Sequence, residues 1–230
     1  MSYACLLPVY NEATRVGRVL DAVSAVKAID EVIVIDGGST DGSAEIVEND
    51  YPQVHLIKNP MREGKAKAIL DGLAIAKDKT IIMLDSDMVG LQASELSGAI
   101  DLYEEQALDC LILSKAPANT YDAFQRKLFG GLLLSMAGER IVKKSVLESA
   151  MGGTRPEGYQ LEIAQNKYLI ENNLKVRCIH ISAKNTGKVQ KHGWLRGVLK
   201  EMGMWRQVAG YAGVGFMLRQ ARYFKGLVVK

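Results

Sequence analysis

Apolar and polar positions alternate in blocks along the first 90 residues of the chain. Four apolar runs have the length and composition of buried β-strands. They cover residues 3–7, 31–36, 54–57 and 81–84. Between them, apolar residues at helical spacing predict three helices over residues 14–27, 43–49 and 64–77. This strand–helix alternation predicts an α/β fold with a mostly parallel central sheet, joined by right-handed crossovers and flanked by helices.

The residues that follow three of these strands are candidates for chemistry. The carboxyl ends of parallel strands meet at one edge of a sheet, where open α/β sheets bind their ligands. We therefore expect the residues at these ends to form one nucleotide–metal pocket. They are Pro8, Tyr10, Asn11 and Glu12 after the first strand, Asp36, Gly38 and Ser39 at the second, and Asp85, Ser86 and Asp87 after the fourth.

Asp85 and Asp87 flank one small residue directly after a buried strand. Two carboxylates this close repel each other and contribute little to a core, but they suit a hard cation such as Mg²⁺ or Mn²⁺. A solvated turn is the alternative for an isolated Asp-x-Asp segment. The polar residues at the other strand ends favour the metal interpretation.

Gly64 and Lys65 open the third predicted helix. A glycine before a helix start and a lysine in the first turn can contact a phosphate group. The spacing does not match a P-loop, and the first 90 residues contain no G-x-G-x-x-G segment. A dinucleotide site is therefore disfavoured, whereas a phosphate contact remains.

The charge is unevenly distributed along the 230 residues, which suffice for one substantial α/β domain with an appended element. Residues 184–230 hold 10 Lys and Arg and 1 acidic residue, whereas residues 1–183 hold 19 and 25. Such a basic tail suggests contact with phosphates on a nucleotide, an acceptor, a membrane or nucleic acid. The alternative is a solvated helix face.

Three cysteines, Cys5, Cys110 and Cys178, lie far apart and are odd in number. They are expected to be small buried side chains in a reducing compartment. No basic-then-apolar signal opens the chain. The longest apolar segments, 128–138 and 208–218, have 11 residues each, too few to span a bilayer. We therefore expect a cytoplasmic protein.

Segments 7–12, 34–42 and 85–87 together resemble the three signatures of family 2 glycosyltransferases. The resemblance implies the GT-A (nucleotide-diphospho-sugar transferase) fold over residues 1–183 and a hexosyltransferase that uses a UDP- or GDP-sugar. It places Pro8, Tyr10, Glu12 and Asp36 around the base and ribose. It also places Asp85 and Asp87 on a Mg²⁺ or Mn²⁺ ion at the diphosphate, with Asp87 counted among the catalytic residues.

Segments 135–140 and 158–163 resemble acceptor-side motifs of glucosyl-3-phosphoglycerate synthase-like and polyprenyl-phosphate glycosyltransferase-like members. That analogy implies an acceptor loop formed by Gly138, Glu139 and Arg140, and a catalytic Glu162 near the reacting carbon. It implies His180 as a third metal ligand, with His192 as the rival. The acceptor, a phosphorylated small molecule or a polyprenyl phosphate, and the stereochemical outcome stay open.

Two other functions are alternatives to glycosyl transfer. A nucleotidyltransferase would carry a Gly-rich basic loop after the first strand, where this chain has Pro8–Glu12. A non-catalytic nucleotide- or membrane-binding module of the same fold would bind without turnover.

The tail 184–230 is expected to be an amphipathic helical extension that packs on the domain. The alternative is that this helix is interfacial and binds the anionic lipid headgroups on the inner face of a membrane. We expect no nucleic acid partner, and a homodimer is left open.

Overall fold

The structure is a computed structural model. It describes residues 2–77, 80–117, 119–152, 158, 160–185, 203 and 206–228. The predicted tail helix from Trp194 to Trp205 lies outside these residues apart from Gly203, and so does His192. None of the described helices combines the length and the apolar character that crossing a membrane requires.

Strands and helices alternate along most of the described chain. The strands are β1 (Tyr3–Val9), β2 (Ile29–Asp36), β3 (His55–Lys58), β4 (Thr80–Met83), β5 (Met88–Val89), β6 (Cys110–Lys115), β7 (Arg140–Lys143), β8 (Val176–Ile181) and β9 (Lys184–Asn185). The helices are α1 (Val16–Ser24), α2 (Ser43–Asp50), α3 (Lys65–Ile75), α4 (Ala93–Glu105), α5 (Thr120–Ser135), α6 (Lys144–Met151), α7 (Gln160–Glu171) and α8 (Val214–Lys225). Residues 206–212 are also helical.

A seven-stranded sheet forms the centre, in the order β3-β2-β1-β4-β7-β6-β8. Strand β7 is antiparallel to both of its neighbours, and every other pair in this sheet is parallel. Strands β5 and β9 pair separately. These pairings confirm the predicted mostly parallel sheet. All four predicted strands and all three predicted helices are present, with shifted ends.

Helices cover both faces of the sheet, so its central strands are buried on both sides. One core cluster contains Leu7 of β1 together with the apolar stripes of α1 and α4. The other contains Leu6 of β1 with residues of α3, α6, α7 and α8. This two-sided burial explains why β1 and β4 read as unbroken apolar runs rather than as alternating ones.

The described end of the chain packs on the same body. Phe224 of α8 is fully buried in the second core cluster. The Cys178 N–H of β8 donates to the Leu227 carbonyl oxygen at 2.9 Å. Helix α8 also touches α5, since a Cβ on Gly131 would lie 2.0 Å from the Ala221 carbonyl oxygen. The division of the chain at residue 183 stays a prediction.

Candidate functional site

The ends of β1, β2 and β4 meet at one cavity of about 370 Å³, as the strand order predicts. The segment that joins β3 to α3 completes its wall. The predicted site residues that line it are Pro8, Tyr10, Glu12, Gly64, Lys65, Asp85, Ser86 and Asp87. The sequence pattern therefore located the edge of the sheet at which these groups converge.

Other predicted residues hold the loops that form this cavity. The Asn11 N–H donates to the Ser39 hydroxyl at 2.9 Å, which ties the loop after β1 to the turn after β2. Asp36 Oδ2 accepts hydrogen bonds from the N–H groups of Gly38 and Ser39, both at 3.0 Å. Gly38 has a φ of +78°, and a Cβ there would lie 3.3 Å from the Asn59 carbonyl oxygen. Only glycine fits this turn without strain.

Tyr10 and Arg62 form a stacked pair at the mouth of the cavity. The Arg62 Cζ lies 4.4 Å from the centroid of the Tyr10 ring, within the range of a cation–π contact. The ring remains 38% exposed. Sequence reasoning identified Tyr10 but missed Arg62, since a single arginine in a loop has no pattern that marks it.

A cluster of opposite charges surrounds Asp85. The Lys65 Nζ lies 2.6 Å from Asp85 Oδ1, and the Lys115 Nζ lies 3.2 Å from Asp85 Oδ2. Lys115 also pairs with Glu139, which is fully buried and directly precedes β7. Lys115 is the last residue of β6, and sequence reasoning missed it because one lysine at a strand end is common.

The burial of these groups shifts their protonation. Burial alone would raise the pKa of Asp85, but Lys65 and Lys115 more than offset it and hold that pKa well below its usual value. Burial, reinforced by the Asp85 charge, raises the pKa of Glu139 to about 7. Burial opposes the charged form of Lys65, yet Asp85 and Glu162 raise the pKa of this lysine. The cluster therefore keeps Asp85 as a carboxylate and both lysines as cations.

Glu162 and Gly138 complete the cluster. Glu162 lies in the first turn of α7, is almost fully buried, and has its Oε1 3.6 Å from the Lys65 Nζ. A Cβ on Gly138 would lie 2.3 Å from that Nζ and 3.0 Å from Glu162 Oε1. The absence of a side chain at Gly138 therefore lets Lys65 and Glu162 approach each other.

Comparison with protein families decides what this arrangement belongs to. Residues 5–146 match the model of glycosyl transferase family 2, which is more than half of the chain. The chain belongs to glycosyl transferase family 2. The match includes β1, β2 and β4 and so contains every residue of the cavity described above.

Individual relatives match a shorter part of this family 2 chain. A dolichyl-phosphate beta-glucosyltransferase of Trichomonas vaginalis is 34% identical over 94 residues, which are 36% of this chain and 28% of that protein. A glucosyl-3-phosphoglycerate synthase of Mycolicibacterium paratuberculosis is 32% identical over 96 residues, again 36% and 28%. The matched segments thus span under a third of these relatives.

Solved structures confirm the GT-A fold. The glucosyl-3-phosphoglycerate synthase of Mycobacterium tuberculosis, in complex with Mn²⁺ and UDP-glucose, superposes with a TM-score of 0.70. The superposition covers 94% of this chain and 78% of that one at 20% identity. The same enzyme with Mn²⁺, UDP and glucosyl-3-phosphoglycerate gives a TM-score of 0.64 at 18% identity, covering 88% of this chain and 80% of that one.

Arg140, which the motif resemblance assigns to an acceptor loop, lies inside the protein. It is fully buried. Its guanidinium donates to the carbonyl oxygens of Ala137 at 2.9 Å and Ser135 at 3.1 Å, and to Gln165 Oε1 at 3.3 Å. These bonds satisfy carbonyl groups at the end of α5 and just after it. In this conformation Arg140 therefore holds the Ser135–Gly138 segment in place and has no surface to offer an acceptor.

His180 lies on a different cavity from Asp85 and Asp87. It is exposed on β8, where its neighbour across the strands is Ser114, and it lines a cavity between α5 and α8. The rival, His192, lies outside the described residues. A third protein ligand for a metal therefore stays a prediction.

Asp85 and Asp87 fit a hard divalent cation by their chemistry. Among the residues that the structure describes, no group of three or more His, Cys, Asp or Glu is arranged to hold a metal. However, both aspartates line the same cavity. Mg²⁺ in proteins is commonly held by one or two carboxylates, with water and substrate phosphates as its other ligands. Two carboxylates therefore suffice when a diphosphate supplies further oxygens.

Proposed function

We propose that this protein is a metal-dependent glycosyltransferase, which moves a sugar from a UDP- or GDP-sugar to an acceptor. The observation that carries the proposal is the joining of three strand ends, two aspartates and a lysine in one cavity. Family 2 membership supports it. The related mycobacterial enzyme has been seen with UDP-glucose and Mn²⁺.

The donor would lie along the cavity from the β1 loop to the end of β4. Pro8, Tyr10 and Glu12 would contact the base and ribose, with Tyr10 offering an aromatic face. The diphosphate would lie at Gly64 and Lys65, the first residues at the N-terminus of α3. A helix N-terminus favours anions because its first N–H groups have no partner within the helix.

Charge stabilisation is the main contribution that the chain makes to the reaction. Asp85 and Asp87 would hold a divalent cation, which when bound neutralises the charge developing on the departing diphosphate. Lys65 lies 2.6 Å from Asp85 Oδ1 and would contact the same phosphates. A preorganised cation of this kind stabilises a transition state without reorganisation cost.

Glu162 is the proposed base for an acceptor hydroxyl. It lies beside Gly138 and beside Lys65, which lines the cavity. An acceptor that is already a phosphate would need little help from a base. The candidate acceptors are a phosphorylated small molecule and a polyprenyl phosphate. Peripheral membrane contact through the tail and a homodimer stay predictions.

Binding and turnover together test the proposal. The first measurement is the melting temperature with UDP- and GDP-sugars, each with and without Mn²⁺, because a ligand that binds only the native state raises it. We expect a shift that requires both one nucleotide and the metal, followed by metal-dependent release of that nucleotide. A shift without turnover under any acceptor would favour the non-catalytic module.

Variants of the Asp-x-Asp segment test the metal assignment. We expect Asp85→Asn and Asp87→Asn each to abolish the metal-dependent shift. Asp101→Asn, an exposed position on α4, is the matched control and is expected to behave as the wild type. Full activity in both site variants would show that these carboxylates do not hold the cation.

A further inference from the structure

A second cavity lies between α5 and α8 and shares no lining residue with the proposed donor cavity. Its volume is about 640 Å³, larger than that of the donor cavity. Ser114 of β6 and His180 of β8 lie at one side. Most of its wall is apolar, formed by Ala123, Leu132, Leu133, Leu134, Leu218, Ala221 and Val228. Cavities of this size with apolar walls and few polar groups are typical ligand sites.

The charged side chains in the described lining of this cavity all have the same sign. The charged residues that line it are Arg126, Lys127, Arg222 and Lys225, and its described lining contains no Asp or Glu. Lys127, Arg222 and Lys225 are exposed on α5 and α8. Beside them, Leu218 of α8 is 57% exposed. An apolar cavity with a cationic rim complements a molecule that has an anionic head and a hydrocarbon chain.

Helices α5 and α8 touch at Gly131, and there is free space at the neighbouring Gly130. At Gly131 the helices touch, since a Cβ there would clash with the Ala221 carbonyl oxygen. At the adjacent Gly130 a Cβ would meet nothing within 4 Å. Gly130 lines the cavity, so a larger side chain at this position would enter free space.

The end of β6 connects this cavity to the proposed active site. The Arg126 Nη1 donates to the Lys115 carbonyl oxygen at 2.6 Å and lies 3.3 Å from the Ser114 hydroxyl. The Lys115 side chain in turn pairs with Asp85. Lys115 therefore contacts Arg126 through its carbonyl oxygen and the Asp85 cluster through its side chain.

We propose that the cavity between α5 and α8 binds the acceptor, and that this acceptor is an anionic amphiphile. Its phosphate head would lie at the basic residues near Arg126, and its apolar chain would lie along the leucines of α5 and α8. The inference rests on the proposed function. A fully hydrophilic phosphorylated acceptor would leave the apolar wall in water, so the cavity favours the polyprenyl-type acceptor over the phosphoglycerate type.

The binding of three probes to the protein distinguishes the contribution of the phosphate head from that of the hydrocarbon chain. The probes are farnesyl phosphate below its micelle concentration, farnesol and inorganic phosphate, each titrated by calorimetry. We expect farnesyl phosphate to bind at least about 10-fold more tightly than either other probe, because only it uses both features of the cavity. Equal binding of inorganic phosphate or of farnesol would overturn the proposal.

Filling the cavity tests where the probe binds. We expect Gly130→Leu to weaken farnesyl phosphate binding by about 10-fold or more, since the new side chain would occupy the position proposed for the hydrocarbon chain of the ligand. Gly98→Leu on α4 is the matched control, because a Cβ at Gly98 also meets nothing within 4 Å. Binding unchanged by Gly130→Leu would place the probe elsewhere and contradict the proposal.

Neutralising the rim gives a second test that does not depend on the first variant folding. We expect Arg222→Gln combined with Lys225→Gln to weaken farnesyl phosphate but not farnesol, with the exposed Lys167→Gln of α7 as control. Vesicles containing phosphatidylglycerol distinguish a membrane headgroup from a single-chain ligand. Vesicle binding that competes with farnesyl phosphate and survives Gly130→Leu would show a surface contact and overturn the cavity assignment.

The two proposals fail in different ways. A UDP- or GDP-sugar that binds with Mn²⁺ while farnesyl phosphate does not would remove the acceptor inference and leave the donor site intact. Farnesyl phosphate binding without binding or turnover of any nucleotide sugar would remove the transferase function and leave an amphiphile site. Both measurements are made on the same Gly130→Leu and Gly98→Leu proteins, in which donor binding is expected to stay at the wild-type level.

Discussion

The Lys65 ammonium lies 2.6 Å from Asp85 Oδ1, so a proposed metal ligand is paired with a cation of the same chain. Lys115 pairs with the other oxygen of the same carboxylate. The two lysines stabilise the charged form of Asp85 inside the protein, where an unpaired carboxylate would be costly. A bound diphosphate would offer Lys65 a second anionic partner at the same place.

Lys65 is therefore expected to contribute to catalysis and not only to folding. We expect Lys65→Gln to lower kcat by about 10²-fold, the usual effect of removing one group that stabilises transition-state charge. Lys67→Gln is the matched control, since Lys67 lies on the same helix and pairs with Asp71 and Glu63 instead. Steady-state nucleotide release measures both. Wild-type turnover in Lys65→Gln would exclude this role.

A methyl group on Gly138 should disturb the same cluster. The Cβ of Gly138→Ala would lie 2.3 Å from the Lys65 Nζ, so the flexible end of the lysine must move away from Asp85 and Glu162. We expect lower kcat with little change in the melting temperature, because the clash falls on a side-chain tip. Gly98→Ala, whose Cβ meets nothing, is the control. A large loss of stability with unchanged kcat would contradict this reasoning.

Arg62 is expected to act on donor binding. It places a guanidinium on the Tyr10 ring at the mouth of the cavity. We expect Arg62→Ala to raise the KM for the nucleotide sugar several-fold, on the order of the 0.5–2 kcal/mol that cation–π contacts contribute, with kcat nearly unchanged. Arg18→Ala on the exposed side of α1 is the control. Tighter donor binding in Arg62→Ala would show that the guanidinium blocks the ring.

The sequence pattern predicted the part of the site that lies at strand ends. Asp85 and Asp87 follow β4 directly, and Tyr10 follows β1, so the order of a parallel sheet suffices to bring them together. That argument needs only local periodicity and the direction of the strands. The same periodicity predicted β1 to β4 and α1 to α3, with ends that differ by a few residues.

Contacts between distant segments could not be predicted in this way. Strand β7 lies between β4 and β6 and is antiparallel to both, so β4 and β6 end at the same edge of the sheet, where Lys115 contacts Asp85. No local pattern in the sequence encodes that strand order. Arg140 shows the opposite error. The motif resemblance assigned it to an acceptor loop, whereas its guanidinium donates to the Ala137 and Ser135 carbonyl oxygens and to Gln165, which is 25 residues away in the chain.

Arg140 should therefore be a stability determinant. We expect Arg140→Met to lower the free energy of unfolding by about 3 kcal/mol, because the Ser135 and Ala137 carbonyl oxygens and Gln165 lose a buried charged donor. Urea denaturation followed by circular dichroism measures it. Arg177→Met is the control, since its guanidinium is half-buried and donates to the Val176 carbonyl oxygen. An equally small effect in both variants would contradict the buried role.

The three cysteines provide a probe of the core, because all are free and buried. Burial raises the pKa of Cys5 to about 12, that of Cys110 to about 11 and that of Cys178 to about 12. The thiolate is the reactive form, and an unfolded cysteine has a pKa of about 8.5. At pH 8 the native thiols should therefore react with a disulfide reagent at least about 10²-fold more slowly than the same thiols in guanidinium chloride.

Ser149→Cys, at an exposed position on α6, is the positive control and should add one rapidly labelled thiol. Rapid labelling of a native cysteine in the wild type would show that β1, β6 or β8 is open to solvent, contrary to the two-sided burial of the sheet.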